Sequence, residues 1–160
     1  MLGVTYLVAD NYLLYNKDQE SSWDMIQTLF GSSISVDLSS LILRLAIGTL
    51  FIIHGYPKLT EEQRKQGGAW MKGIGMPAAM IPFGGVVEFF GGLALILGLL
   101  TPIIAVLAAL WMLSTTWFSI NKVKKKYASG YEIDITLFLA ALALALLGSG
   151  IFSIDHLLGL

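Results

Sequence analysis

The chain has 160 residues, of which 56% are hydrophobic and only 13% are charged. Because a soluble domain carries about 25% charged residues, this composition is typical of an integral membrane protein. The net charge of −1 argues against nucleic-acid binding, and the absence of cysteine excludes disulfides, thiolate chemistry and cysteine-ligated iron–sulfur clusters.

Residues 1–37 are predicted to form an ordered extracytoplasmic extension. The dipeptide Asp10-Asn11 separates two short apolar stretches, which predicts a β-hairpin with a two-residue turn; a short helix is the alternative. Further along, Ser21 or Ser22 can cap a short helix with four apolar side chains on one face, Trp23, Ile26, Leu29 and Phe30. Such a face suits either the outer membrane interface or a partner protein. The beginning of the chain lacks the basic and apolar regions of a cleavable signal peptide, so we expect none.

Four apolar stretches follow, each close to the ~20 residues that a helix needs to span a membrane. They cover residues 38–58, 80–100, 102–120 and 133–152. Pro57 indicates the end of the first, and Pro102 suits the first turn of the third. The sequence therefore predicts an all-α fold, with a transmembrane four-helix bundle over residues 38–160. Glycines recur along the second stretch, and we interpret them as positions where helices pack closely.

The connections between these helices predict the orientation in the membrane. Eight of the ten basic residues lie in loops 55–79 and 121–131. The positive-inside rule places both loops in the cytoplasm and both termini outside the cell membrane. Within the first loop, residues 67–77 combine several glycines with Trp and Met, which predicts a loop packed back on the bundle.

Glu88 is the main candidate functional residue, because it is the only charged residue within residues 80–100. A charged side chain at this depth costs ~2.5–3.5 kcal/mol on insertion scales, so we expect it to be paired, protonated or functional. Counting ~1.5 Å per residue from the outer end of each helix places four side chains about 18–22 Å deep. They are His54, Glu88, Trp117 and Thr136.

The candidate site takes Glu88, His54 and Arg44 as catalytic residues. Lys58 and Trp117 are expected to join His54 and Glu88 in binding a ligand. Structural alternatives stay open for each of them. Glu88 could form an ion pair or be protonated, His54 could be an interfacial residue, and Trp117, like Trp111, could be a packing or membrane-belt residue. Arg44 could snorkel, pair with Asp155 or reach toward Glu88.

The sequence gives no indication of haem, a metal site or a nucleotide. The two histidines, His54 and His156, lie near opposite faces of the predicted membrane domain, so they cannot both bind one iron. No cluster has metal-ligand spacing, and no glycine-rich loop has a nucleotide-binding pattern.

Several short motifs, taken in order, resemble the DoxX family of small four-helix membrane proteins. The resemblance covers residues 38–160 and is carried by Arg44–Gly48, His54-Gly55, Lys58, Glu88, Gly91-Gly92, Gly98–Thr101, Glu132, Gly148–Gly150 and Ser153–Asp155. It implies a relation to the membrane subunit of thiosulfate:quinone oxidoreductase, and to subunits of respiratory or oxidative-stress complexes. The extension over residues 1–37 departs from the compact family pattern.

Three functions are consistent with these observations. The first is a membrane subunit of a quinone-linked respiratory or sulfur-oxidising complex, with quinone or lipid in a polar pocket of the bundle. The second is a non-catalytic accessory or assembly subunit, in contact with other subunits or with a second copy. The third is a small proton-coupled transporter, which ranks last because no inverted repeat or broken helix is seen.

Overall fold

A computed structural model describes residues 24–28 and 31–160 of the chain. Residues 24–28 are helical, within the stretch where a short helix is predicted. The predicted hairpin lies outside the described residues, as do Trp23, Leu29 and Phe30. Residues 37–160 form one compact unit.

Besides the helical residues 24–28, six α-helices make up most of the described residues, and four of them are long and apolar enough to cross a membrane. In chain order the helices are α1 (Ser33–Leu59), α2 (Glu61–Gly73), α3 (Met80–Leu97), α4 (Thr101–Asn121), α5 (Glu132–Leu147) and α6 (Ile154–Leu158). The candidate membrane helices are α1, α3, α4 and α5, and the described residues contain no β-strand. The prediction of an all-α fold with four transmembrane helices is therefore confirmed.

The prediction of a glycine-rich loop over residues 67–77 is wrong in part. Residues Glu61–Gly73 form helix α2, with Thr60 as its N-cap. Its glycines are contact points: a Cβ at Gly67 would lie 3.0 Å from Ile81 Cδ1, and one at Gly68 would lie 3.2 Å from Ala78 Cβ. The segment does pack back on the bundle, as predicted, because the absence of side chains lets α2 approach the start of α3.

The core of the bundle lies between the membrane-spanning helices. Small side chains dominate on α4, where they let neighbouring helices approach closely. The buried core residues are Ile47, Phe51, Leu95, Ala105, Ala108, Ala109, Met112, Ala141 and Leu144.

Helices α1 and α3 cross at a pair of glycines. A Cβ at Gly48 would lie 2.7 Å from the Gly92 carbonyl oxygen, and a Cβ at Gly92 would lie 2.6 Å from the Gly48 carbonyl oxygen. Both separations are too short for a real side chain, so the two backbones are in direct contact. This contact brings the polar side chains of α1 and α3 within reach of each other.

The neighbouring glycine provides a matched test of this crossing. Gly92→Ala is expected to lower the free energy of unfolding by about 1–3 kcal/mol, the usual effect of overpacking. Gly91→Ala should instead raise it by about 0.5–1 kcal/mol, because alanine favours a helix and the new Cβ meets only Phe51 Cδ2, at 3.9 Å. Thermal unfolding in detergent measures both variants. Equal stability of the two would contradict the close crossing.

At the end of the bundle opposite the basic loops, the segment after α5 folds back onto α1. The Ser40 hydroxyl donates to the Gly148 carbonyl at 2.6 Å, and Arg44 Nη2 donates to the Phe152 carbonyl at 2.6 Å. The Asp155 carboxylate accepts hydrogen bonds from the backbone N–H groups of Leu100, at 2.5 Å, and Thr101, at 2.8 Å. It thereby caps the start of α4. The hydrogen bonds of Ser40, Arg44 and Asp155 described in this paragraph are together called the Asp155 clasp below.

Candidate functional site

The Glu88 side chain is buried in the bundle and bound by two donors. Glu88 as a whole residue is 4% exposed. Lys58 Nζ on α1 donates to both carboxylate oxygens, at 2.6 Å to Oε1 and 2.5 Å to Oε2. Trp111 Nε1 on α4 donates to Oε1 at 3.0 Å. Two neighbouring helices therefore satisfy the carboxylate, which reduces the cost of placing it at membrane depth.

Glycines make room for this arrangement. A Cβ at Gly55 would lie 2.9 Å from the Glu88 Cβ, and one at Gly85 would lie 3.0 Å from the Lys58 Cβ. A Cβ at Gly84 would lie 3.1 Å from the Trp111 ring. Their interpretation as packing positions is supported, and this packing fixes the ion pair and the indole in place.

A cavity of about 340 Å³ opens on one side of Glu88. Most of its lining is apolar, and its polar lining residues include the hydrogen-bonded Lys58, Glu88 and Trp111. Its lining residues are Lys58, Met71, Met76, Met80, Ile81, Gly84, Glu88, Trp111, Ser114, Thr115, Trp117 and Phe118. We call it the larger cavity. Its volume and apolar character match those of small-molecule sites, at the lower end of their ~300–1,000 Å³ range.

A second cavity, of about 150 Å³, also borders the ion pair. We call it the smaller cavity. Four titratable side chains contribute to its lining, His54, Lys58, Glu88 and Asp134. Lys58, Glu88 and Thr115 line both cavities, so the ion pair stands in the wall between them.

The structure brings four of the five predicted site residues to these cavities. Lys58 and Glu88 form the ion pair, His54 lines the smaller cavity and Trp117 lines the larger one. Their functional roles stay predictions. Of the three residues predicted at the depth of Glu88, His54 and Trp117 each share a cavity with it, whereas Thr136 is exposed and lines neither cavity.

Arg44 does not reach Glu88. It is fully buried at the opposite end of the bundle, where its guanidinium donates to Phe152 and interacts with the charge of Asp155. Of the three alternatives open for Arg44, contact with Glu88 is ruled out. The guanidinium is under the electrostatic influence of Asp155 but forms no ion pair with it in the described part of the chain, and its Nε and Nη1 have no hydrogen-bond partner there. Arg44 therefore has no direct contact with the cavities, and a catalytic role finds no geometric support.

Sequence reasoning missed Trp111 as a site residue, because it was assigned to packing or to a membrane belt. One signal could have identified it. Trp111 is at the middle of α4, whereas belt tryptophans lie at membrane interfaces, and a buried indole N–H needs an acceptor. Asp134, which lines the smaller cavity, is a further residue that the predicted site did not include. Of the three methionines that line the larger cavity, Met71 and Met76 lie in the segment that was predicted to pack on the bundle, but no cavity was predicted there.

Within residues 24–28 and 31–160, no three His, Asp or Glu side chains gather in the way that a metal site requires. The polar groups at Glu88 are instead arranged as an ion pair with one indole donor. Such an arrangement can bind a polar group of an otherwise apolar ligand, and it can exchange protons.

Comparison with known proteins identifies the family of this chain. Residues 39–120 match the model of the DoxX family. The chain is 33% identical over 123 residues to "Inner membrane protein YqjF" of Escherichia coli (strain K12), which covers 76% of this chain and 93% of that protein. It is 32% identical over 122 residues to "Putative oxidoreductase CatD" of Bacillus subtilis (strain 168), covering 76% of this chain and 87% of that protein. No solved structure matches the chain. The resemblance drawn from the sequence motifs is confirmed, and the chain belongs to the DoxX family, as a multi-pass membrane protein.

Proposed function

We propose that this protein is a membrane subunit of a quinone-linked redox complex and that it binds a quinone ring in the larger cavity. The observation that carries this proposal is the apolar cavity of about 340 Å³ with the Lys58–Glu88 pair and Trp111 on one wall. The relative named as an oxidoreductase supports a redox role.

The lining of the larger cavity suits the two parts of a quinone. Its flat ring is apolar and can pack against Trp117, Phe118 and the methionine side chains. Its carbonyl oxygens need hydrogen-bond donors. Lys58 carries three N–H protons, and Glu88 accepts two hydrogen bonds from it, so one proton is left for a ligand. We therefore expect a quinone carbonyl to bind at Lys58.

Reduction of a quinone to a hydroquinone takes up two electrons and two protons. In the proposed complex the electrons come from a partner redox subunit, and the protons pass through the groups around Glu88. Once it has taken up a proton, the Glu88 carboxyl group can serve as the immediate proton donor to a carbonyl bound beside Lys58. The basic loops at this end of the bundle suggest that the site faces the cytoplasm, with both termini outside.

Ligand binding can be measured by thermal unfolding of the purified protein in detergent with decylubiquinone. A ligand at 100 times its Kd stabilises the folded state by about 2.7 kcal/mol, so we expect a rise in Tm of several degrees. Met80→Trp fills the larger cavity and should abolish the rise. Leu97→Trp, at a half-exposed position on the same helix, is the matched control and should keep it.

Decylbenzene, which has the same tail but no carbonyl oxygens, separates a quinone from a lipid. It should give little or no rise in Tm. An equal rise with decylbenzene and decylubiquinone would show a slot for acyl chains and overturn the proposal. Loss of the rise in Leu97→Trp as well would place the binding outside the larger cavity.

A further inference from the structure

The smaller cavity differs in chemistry from the larger one, although both touch Glu88. Helix α1 contributes His54 and Lys58 to it, α3 contributes Glu88, and α5 contributes Asp134. Four titratable side chains around about 150 Å³ are unusual at membrane depth, where ionisable groups are rare and mark ion or proton pathways.

This difference predicts that one cavity is wet and the other is dry. A water molecule takes up ~30 Å³ of liquid volume and needs two to four polar partners, so the smaller cavity can hold several waters. Half of the residues that line the larger cavity are methionine or aromatic, its surface is mostly apolar, and apolar cavities stay dry. The Lys58–Glu88 pair, in the shared wall, is then the contact between water on one side and the ligand on the other.

Asp134 occupies the position between the basic loop and the smaller cavity. It is the third residue of α5, in the first turn after loop 121–131. Its side chain lines the smaller cavity together with Thr115 and with the buried pair, Lys58 and Glu88. Lys125 is in the loop that leads into α5. Asp134 therefore lies between the basic loop and the buried pair.

We propose that the smaller cavity is a hydrated chamber that carries protons between the aqueous phase at the basic loops and Glu88, and that Asp134 is the carboxyl group that receives them first. A proton passes from bulk water to Asp134, through chamber water to Glu88, and from there to the bound ligand beside Lys58. Each carboxylate gains and then loses one proton, so the net result is the transfer of one proton. His54 faces the same water from α1. The use of these protons rests on the proposed quinone function.

The Trp111 indole N–H provides a direct probe of water at Glu88, since it is bonded to that carboxylate. Its exchange with deuterium, followed by NMR in detergent, requires water to reach the buried pair. Leu137→Phe fills the smaller cavity, which Leu137 lines, and should slow this exchange at least tenfold. Leu50→Phe adds bulk to the same cavity from α1 and should also slow the exchange at Trp111. Leu139→Phe, exposed on α5, is the matched control and should leave the exchange unchanged.

Asp134→Asn separates proton transfer from hydration. The amide keeps the shape of the side chain but cannot accept a proton, so exchange at Trp111 should slow by several-fold while the chamber stays open. Hydration is measured independently because the chain has no cysteine. A charged, water-soluble thiol reagent should label Leu137→Cys rapidly in both the parent protein and the Asp134→Asn background. It should not label Leu139→Cys.

The decylubiquinone-induced rise in Tm should persist in Leu137→Phe, Leu50→Phe and Asp134→Asn, because these three residues do not line the larger cavity. The two proposals can therefore fail separately. No rise in Tm in the parent protein, together with slowed exchange in the variants, would overturn the quinone assignment but leave the hydrated chamber. Unchanged exchange in both cavity-filling variants, or no labelling of Leu137→Cys, would overturn the chamber. Unchanged exchange in Asp134→Asn alone would remove Asp134 as the receiving group.

Discussion

Asp155→Ala is expected to lower the free energy of unfolding by about 3–5 kcal/mol, the typical effect of removing one partner from a buried charged network. Two physical terms contribute to this loss. The Asp155 residue is 2% exposed, and its carboxylate accepts the backbone N–H groups of Leu100 and Thr101. Without it, both donors lose their acceptor, and the fully buried Arg44 loses the charge that interacts with its guanidinium.

Unfolding in mixed micelles with increasing SDS measures this effect. Asp155→Asn keeps the size of the side chain and one carbonyl acceptor, so it should fall between the parent protein and Asp155→Ala. Glu62→Ala, at an exposed position on α2, is the control and should change stability by no more than about 0.5 kcal/mol. If Asp155→Ala were as stable as Glu62→Ala, the Asp155 clasp would not contribute to folding.

The second large effect is expected at the ion pair in the site. Lys58→Met leaves Glu88 without its charged partner in the interior, and we expect a loss of about 2–3 kcal/mol in the free energy of unfolding. This is below the usual range for a buried pair because the Lys58 side chain is 35% exposed, and solvent screens part of the interaction. The same variant should lose the rise in Tm with decylubiquinone, since it lacks the proposed carbonyl donor.

A double-mutant cycle isolates the contribution of the pair. Lys58→Met combined with Glu88→Gln should be at least about 1 kcal/mol more stable than the sum of the two single changes predicts, because no charge is left unpaired. The surface pair Lys65–Glu61, 2.7 Å apart on α2, is the matched control. Its coupling energy should be only about 0.3–0.5 kcal/mol. Equal coupling energies in the two cycles would show that the Lys58–Glu88 pair is as well solvated as a surface pair.

The membrane helices and the importance of Glu88 could be predicted from the sequence because each depends on a local signal. A run of ~20 apolar residues specifies a membrane helix, and a single carboxylate within such a run must find a partner. Counting the rise per residue also placed His54, Trp117 and Thr136 at the depth of Glu88; the first two line cavities with it, and Thr136 does not. The depth of a side chain along a helix can be counted from the sequence, because every residue advances the helix by the same ~1.5 Å.

The direction in which a side chain points around the helix axis could not be predicted in the same way. Trp111 and Trp117 are on the same helix, and only the packing of α4 against α3 decides that the Trp111 indole reaches Glu88. Arg44 illustrates the same difficulty, because its position on α1 allowed three directions and the Asp155 clasp selects one. Helix α2 was missed for another reason. Glycine disfavours helices locally, but close packing against α3 outweighs this preference at Gly67 and Gly68.

The separation in sequence between Arg44 and its carbonyl partner has a consequence for biogenesis. Arg44 and Phe152 are 108 residues apart, and a ribosome adds ~5–20 residues per second, so the partner is synthesised roughly 5–20 s after the arginine. Throughout that interval the nascent α1 lacks the carbonyl that Arg44 Nη2 binds in the folded protein. We therefore expect this first helix to stay in contact with insertion machinery or with water until the later segment arrives. A transcript truncated before codon 152 should yield inserted helices that protease can still attack.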